Sequence, residues 1–370
     1  MLAQFEVSNF RQFKEKIVLD LTDAKQYAFN PECIRNGLVN KAIIYGSNGC
    51  GKTNLGLAIF DIVWHLTDND RNGLINYMNG YANAESDFDL VKFRYVFKFN
   101  NKNIVYEYGK REIEVLQFET LNIDGKLVIE YELGKPLKVN LAGAETLKTD
   151  LSNSNISALK YIRSNAVLDK NEVNQAFDDF YYFVERMLFF RSVEQNMFIG
   201  SKQKVFTICQ DILEHDHLQD FEEFLNDVGV KCVLSVIEVN GQKDIAFKFG
   251  YKSIPFFGIA SSGTKDLALF YAWYQRILEG NEVSFVYIDE FDAHYHHALA
   301  RSLVEKLKKV DAQVVLTTHN TNLMTNDMLR PDCYFIMSET GIRPLPQLTL
   351  KELRDVHNLE KIYRAGGFDG

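Results

Sequence analysis

The sequence lacks the features that mark secreted and membrane-spanning proteins. Its five cysteines are scattered and include no C-x-x-C pair, which argues against a disulfide framework and suits a reducing compartment. The opening stretch "MLAQFEVSNFRQFKEK" has no apolar segment that leads to an A-x-A cleavage site. No later run reaches the roughly 18 apolar residues of a membrane span. We therefore expect a cytoplasmic protein without membrane contact.

The sequence also lacks an excess of positive charge. It has 41 Lys and Arg against 50 Asp and Glu, a formal net charge of −9. This balance argues against adhesion of the whole surface to nucleic acid, although a local basic groove stays open. Hydrophobic residues make up 46% and aromatic residues 13% of the 370 positions, which indicates a folded globular chain of one or two domains.

Hydrophobic patterning divides the chain into three parts. Residues 1–143 contain early strands, a helix that starts near Asn54 and four short alternating segments typical of an antiparallel meander. Residues 144–230 are mainly helical in pattern, and we interpret them as an insertion. Residues 231–370 return to apolar strands that alternate with helices, which predicts a parallel sheet covered on both faces.

The segment "GSNGCGKT" at 46–53 fits the phosphate-binding pattern G-x-x-x-x-G-K-[ST]. It lies between a predicted buried strand, "AIIY", and a predicted helix, which is the context that this motif requires. Backbone N–H groups of such a loop surround phosphates, Lys52 is expected to reach the β and γ phosphates, and Thr53 is expected to offer its hydroxyl to Mg²⁺. ATP and Mg²⁺ are therefore the predicted cofactors. The predicted nucleotide-binding residues of this loop are Gly46, Ser47, Asn48, Gly49, Cys50, Gly51, Lys52 and Thr53.

A second candidate site follows the apolar strand "SFVYID". Asp289 and Glu290 end this strand, and adjacent strand residues point to opposite faces, so the two carboxylates are expected to have different roles. Asp289 is predicted to hold Mg²⁺, and Glu290 to orient or deprotonate the attacking water. His319 ends the next predicted strand, "VVLTT", at the sheet edge where open α/β folds bind ligands. The predicted catalytic residues are Lys52, Glu290 and His319.

The order of these motifs resembles that of the ABC-class ATPases. The segment "NFRQF" at 9–13 and the lack of long heptad arms resemble the compact SMC-like and OLD-like branch. The segments "DEFDAHYHHAL" and "LKELRDVHNLEKIYRAGGF" are similar to those of stand-alone RloA- and AriA-type ATPases of bacterial anti-phage and abortive-infection systems. The resemblance implies an α/β P-loop fold of the ABC type, with a mixed sheet core, the antiparallel meander and the mainly helical insertion.

The resemblance also implies roles for residues outside the first two motifs. "ASSGT" at 260–264 occupies the place of the signature motif L-S-G-G-Q, with Ala for Leu and Ser for the first Gly. In ABC-class dimers this element completes the ATP site of the partner, so Ser261, Ser262 and Gly263 are expected to bind nucleotide across the interface. Asp292 falls in the D-loop, and Gln117 is a candidate for the Q-loop glutamine.

The stretch "FDDFYYFVERMLFFRS" at 177–192 is apolar almost all round and is predicted to be a helix. Two interpretations stay open, a buried helix and a helix that docks a partner.

The leading hypothesis is an Mg²⁺-dependent ATPase that forms a head-to-head dimer around ATP and controls a separately encoded effector, for example a nuclease, in anti-phage defence. Two alternatives stay open. One is a DNA-repair or recombination ATPase that acts on DNA directly, and the other is an ATP-sensing scaffold with little turnover. Direct nucleic-acid binding is undecided by the sequence.

Overall fold

The computed structural model describes residues 1–68, 80–99, 101–151, 156–191, 197–199, 208–278, 283–293, 295 and 297–368. Groups of consecutive strands and groups of helices follow one another along these ranges. The strands are β1 Leu2–Ser8, β2 Ile17–Asp20, β3 Ile34–Arg35, β4 Leu38–Val39, β5 Lys41–Tyr45, β6 Val91–Phe99, β7 Lys102–Lys110, β8 Leu116–Ile123, β9 Lys126–Glu132, β10 Lys138–Val139, β11 Met187–Arg191, β12 Met197–Ile199, β13 Leu234–Val239, β14 Gln242–Phe249, β15 Lys252–Pro255, β16 Phe285–Asp289, β17 Gln313–Thr318, β18 Tyr334–Ser338 and β19 Gly341–Pro344.

The helices are α1 Lys52–Leu66, α2 Ala158–Asn165, α3 Glu172–Glu185, α4 Ile208–Glu214, α5 Leu218–Asp227, α6 Phe256–Ile259, α7 Ser262–Leu278, α8 His297–Lys308 and α9 Leu359–Arg364. Within the described ranges, none of them combines the length and the hydropathy that a bilayer crossing needs.

A seven-stranded sheet carries the predicted site. Its strand order is β12-β11-β16-β17-β5-β18-β19, and the five strands from β11 to β18 run parallel. Every residue of β5, β16 and β17 is buried, as expected of strands covered on both faces. The carboxyl ends of β11, β16, β17 and β5 therefore meet at one edge, where the loop before α1 lies.

A second seven-stranded sheet, in the order β10-β9-β8-β7-β6-β1-β2, is antiparallel throughout. Its strands β6 to β9 are the predicted meander. Helix α1 packs against this sheet, because the Tyr95 hydroxyl donates to the Ala58 carbonyl at 3.0 Å. Helix α3 covers a neighbouring part, where Phe180 and Phe183 pack on Phe97 with ring centroids 5.3 and 5.4 Å apart. The predicted α/β architecture with an antiparallel meander is confirmed.

The stretch 177–192 differs from its prediction as one helix. Helix α3 ends at Glu185, and the apolar residues after Arg186 form β11, which pairs in parallel with β16. Residues 187–190 are continuously apolar because they lie in a buried strand of a parallel sheet, and not because a helix there is apolar on every face. On α3 itself, Phe177, Phe180 and Val184 are buried, which favours the buried-helix interpretation. The predicted boundaries of the 144–230 insertion stay a prediction, but this segment supplies two strands of the central sheet, β11 and β12.

Strands β13, β14 and β15 form a separate three-stranded sheet that leads through α6 into α7. Phe247 of this sheet stacks on Phe256 of α6 with centroids 4.8 Å apart. Phe221 and Phe224 of α5 contact Tyr271 of α7 at 4.9 and 5.2 Å. These contacts fix the start of α7, where the predicted signature element lies.

Candidate functional site

The loop 46–51 connects β5 to α1 through two glycines with left-handed backbone conformations. Gly49 has φ of 78° and Gly51 has φ of 105°, which side chains with a Cβ rarely adopt. A Cβ on Gly51 would also lie 2.6 Å from the Gln12 amide nitrogen and from the Phe13 ring. Gln12 donates in turn to the Gly49 carbonyl at 2.9 Å. The turn at residues 9–13 therefore supports the loop from outside.

Lys52 begins α1 and directs its side chain back over the loop. Its Nζ donates to the carbonyls of Gly46 and Ser47 at 2.9 and 3.1 Å, and the residue is 5% exposed. Burial lowers the pKa of its ammonium from the usual value, while the thiol of Cys50 and the carboxylates of Asp289 and Glu290 oppose that shift. The Lys52 ammonium can exchange its hydrogen bonds to these two carbonyls for hydrogen bonds to phosphate oxygens, and the backbone of the loop need not move.

Asp289, at the end of β16, connects this strand to helix α1 and to strand β17. The Thr53 hydroxyl donates to its Oδ2 at 2.7 Å, and the Thr317 hydroxyl donates to its Oδ1 at 2.7 Å. Asp289 and Thr317 are 0% exposed, and Thr53 is half-buried. A hydroxyl and a carboxylate beside a phosphate-binding loop are the oxygen donors that Mg²⁺ prefers, so the residues present fit this ion.

Glu290 follows with a strained backbone. Its φ of 48° lies in the left-handed region, and its N–H donates to the Thr317 hydroxyl at 2.8 Å. The next threonine repeats the arrangement, because the Thr318 hydroxyl donates to Asp292 Oδ1 at 2.6 Å and accepts from the Asn320 N–H at 2.8 Å. The two threonines at the end of β17 thus fix the loop that carries the acidic residues.

Glu290 and His319 face a common cleft of about 430 Å³. Burial, and then the positive charge of Lys52, lower the pKa of His319 from its usual value, which favours the neutral imidazole. The cleft adjoins the phosphate-binding loop through Asn48. Its lining residues are Asn48, Glu290, Asp292, Ala293, Tyr295, His319 and Asn320.

The signature element lies at the start of α7. The Ser261 hydroxyl accepts from the Thr264 N–H at 3.2 Å and lies 2.9 Å from the Thr264 hydroxyl, so Ser261 caps the helix. Ser261 and Ser262 are exposed and Gly263 is half-buried. None of these three lines the cleft next to the loop of the same chain.

The structure thus groups the predicted residues into two sets. Lys52, Thr53, Asp289, Glu290 and His319 converge at one sheet edge, and residues 261–263 stand apart.

Three residues near the first set were missed from the sequence. They are Gln12, which supports the loop, Thr317, which orients Asp289, and Arg191, which ends β11 beside Asp289. A pair of threonines directly before a histidine at a strand end was the available signal for Thr317. The Q-loop candidate Gln117 was wrongly placed, because it lies on β8 of the antiparallel sheet and not on a strand of the central sheet.

A parallel sheet with a glycine-rich loop before α1 and an acidic strand end beside it define a P-loop ATPase. Residues 41–325 match the family described as "AAA domain, putative AbiEii toxin, Type IV TA system", and the chain belongs to this family. No curated protein matches the sequence.

Two solved structures are similar to this chain at low identity. One is the SMC head bound to the C-winged helix domain of ScpA, with 14% identity, a TM-score of 0.49 and coverage of 94% of this chain and 98% of that one. The other is the SMC head domain from Thermotoga maritima, with 16% identity, a TM-score of 0.45 and coverage of 93% and 98%. At these values neither likeness carries weight for function.

Proposed function

We propose that the protein is an Mg²⁺-dependent ATPase that hydrolyses ATP at the edge of its parallel sheet. The observation that carries the proposal is the hydrogen bond that the Thr53 hydroxyl donates to the fully buried Asp289 carboxylate, beside the glycine-rich loop. Family membership supports nucleotide-dependent ATPase chemistry in general. The assignment of individual roles rests on the geometry of the side chains.

Each predicted residue has a distinct role in this proposal. The N–H groups of the loop and the Lys52 ammonium bind the β and γ phosphates. Thr53 and Asp289 would hold Mg²⁺, which when bound supplies positive charge against the phosphate oxygens. Glu290 orients a water in the cleft and takes its proton, and the neutral imidazole of His319 donates a hydrogen bond to the terminal phosphate or the water.

The exposed signature element supports a second part of the proposal, a head-to-head dimer. Ser261 and Ser262 begin a 17-residue helix whose first N–H groups can bind an anion. They do not line the cleft of their own chain, so the terminal phosphate that they fit is that of a second copy. ATP would then lie between two chains and hold them together.

We further propose that this ATP-dependent dimer controls a separately encoded effector in anti-phage defence. The resemblance to abortive-infection ATPases supports this role, as does the family description as a putative toxin of a toxin–antitoxin system.

The test compares Lys52→Ala and Glu290→Gln with wild type and with Glu132→Gln. Glu132 forms an exposed ion pair with Lys135, so its substitution provides a matched control. Lys52→Ala should lose nucleotide binding, whereas Glu290→Gln should bind ATP, lose at least about 100-fold in turnover and accumulate as a dimer on size-exclusion chromatography. Turnover of Glu290→Gln equal to that of the control would contradict the catalytic assignment.

A further inference from the structure

Arg191 is the last residue of β11 and lies beside the candidate Mg²⁺ site. The parallel register pairs it with Asp289, and its Nε is 3.4 Å from Asp289 Oδ2. Its side chain is only 15% exposed. Because the Thr53 hydroxyl and the Arg191 Nε both approach Asp289 Oδ2, the guanidinium lies close to Thr53.

Asp289 needs a positive partner because its carboxylate is fully buried. Within the described part of the chain, Arg191 is the one basic side chain within 4 Å of it. Lys52 directs its ammonium to the carbonyls of Gly46 and Ser47 instead. Arg191 therefore balances the Asp289 charge when no ion is bound.

A divalent ion on Asp289 and Thr53 changes this balance. The Thr53 hydroxyl and the Arg191 Nε both approach Asp289 Oδ2, so an ion held by Thr53 and Asp289 would lie close to the guanidinium. Two cations beside one buried carboxylate would repel each other strongly, so the ion would weaken the contact between the guanidinium and Asp289. The terminal phosphate of ATP is the anion that the site itself brings to this edge.

We propose that Arg191 exchanges Asp289 for the terminal phosphate of ATP when Mg²⁺·ATP binds. This inference rests on the proposed ATPase function and adds a residue that senses the bound nucleotide. With ATP the guanidinium forms charge-assisted hydrogen bonds to the third phosphate. With ADP that phosphate is missing, so Arg191 competes with Mg²⁺ for Asp289 and weakens the binding of the product.

The test measures three affinities of Arg191→Gln: for Mn²⁺ alone on the nucleotide-free protein, for Mg²⁺·ATP and for Mg²⁺·ADP. Mn²⁺ serves as a spectroscopic substitute for Mg²⁺. We expect Mn²⁺ to bind about tenfold more tightly or better, because the competing cation is gone. The preference for ATP over ADP should fall roughly tenfold to a hundredfold, since one charged hydrogen-bonding group is lost. Arg163→Gln, which removes a surface pair with Asp178, provides the matched control and should change neither quantity.

Arg191→Lys provides a second variant for the case in which Arg191→Gln does not fold. It keeps the charge but not the fork of donors, so Mn²⁺ affinity should stay within about threefold of wild type while the preference for ATP still falls. An unchanged preference for ATP over ADP in either variant overturns the inference about Arg191. Absence of nucleotide binding in the wild-type protein would instead refute the proposed ATPase function, and with it this inference.

Discussion

Lys110→Met should strongly destabilise the protein, because Lys110 neutralises a carboxylate deep between α1 and the antiparallel sheet. Its Nζ donates to Asp61 Oδ1 at 2.6 Å, and the two residues are 2% and 1% exposed. The hydroxyls of Tyr108 and Tyr81 also donate to the Asp61 carboxylate, at 2.7 and 2.8 Å. Asp61 lies on the helix that begins with Lys52, so this network ties the phosphate-binding helix to the sheet.

The expected loss of unfolding free energy follows from the buried charge of Asp61, which Lys110→Met leaves without its counter-ion. Methionine fills a similar volume, so little packing is lost, but the Asp61 carboxylate keeps its charge without a counter-ion. Loss of one partner of a buried ion pair costs about 3–5 kcal/mol. The two tyrosine hydroxyls still solvate the carboxylate, which favours the lower end, so we expect a loss of about 3 kcal/mol.

The assay is urea unfolding followed by circular dichroism, with Lys135→Met as the control. Lys135 pairs with Glu132 at the same 2.6 Å, but both side chains are more than half exposed, so this substitution should cost at most about 1 kcal/mol. The double variant Asp61→Asn with Lys110→Met should recover part of the loss, because it removes the buried charge together with its partner. Equal unfolding midpoints for Lys110→Met and Lys135→Met would refute the reasoning.

Two further predictions concern backbone strain and pH. Gly51→Ala should abolish ATP binding, which titration calorimetry measures. Gly37 provides the control, because its φ is 73° but the space around it is open. Gly37→Ala should keep ATP binding and lose only about 1–2 kcal/mol of stability. Burial lowers the pKa of Lys41 from 10.5 to about 8. Between these two pH values the unfolded chain therefore binds more protons than the folded chain. The unfolding free energy should rise with pH across this window by up to about 3 kcal/mol. Urea titrations at several pH values measure this rise, and Lys41→Met should lack it.

The sequence predicts best those parts of the site that depend on short contiguous patterns. The phosphate-binding loop needs glycines at fixed positions for backbone reasons, and 46–53 shows them directly. The acidic pair at 289–290 follows a short apolar run that favours a buried strand, and the structure has a buried strand there. Parallel sheet geometry then brings both segments to one edge, so the convergence of Thr53 and Asp289 is predictable before any coordinates.

The contacts that depend on tertiary pairing were not predictable in this way. Residues 187–191 carry an apolar run that fits a buried helix and a buried strand equally, and only pairing with β16 decides between them. Because that strand was read as helix, Arg191 was not expected at the sheet edge. The polar network around Asp61 joins residues 20 to 49 positions apart in the chain, and no local pattern reports such partners.

The Ser261 hydroxyl can both cap helix α7 and bind a phosphate of the partner chain's ATP. As a helix cap it accepts from the Thr264 N–H, and its O–H, which lies 2.9 Å from the Thr264 hydroxyl, can turn from that neighbour to a phosphate. Ser261→Asp separates the two roles. Aspartate caps a helix as well as serine does, so the unfolding free energy should change by less than about 0.5 kcal/mol. It also brings a negative charge toward the γ phosphate of the partner chain, so ATP-dependent dimers should disappear in analytical ultracentrifugation while ATP binding by the monomer is kept. Ser261→Asn caps equally well without the charge and should dimerise better than Ser261→Asp. If Ser261→Asp dimerises with ATP as wild type does, Ser261 is a helix cap alone.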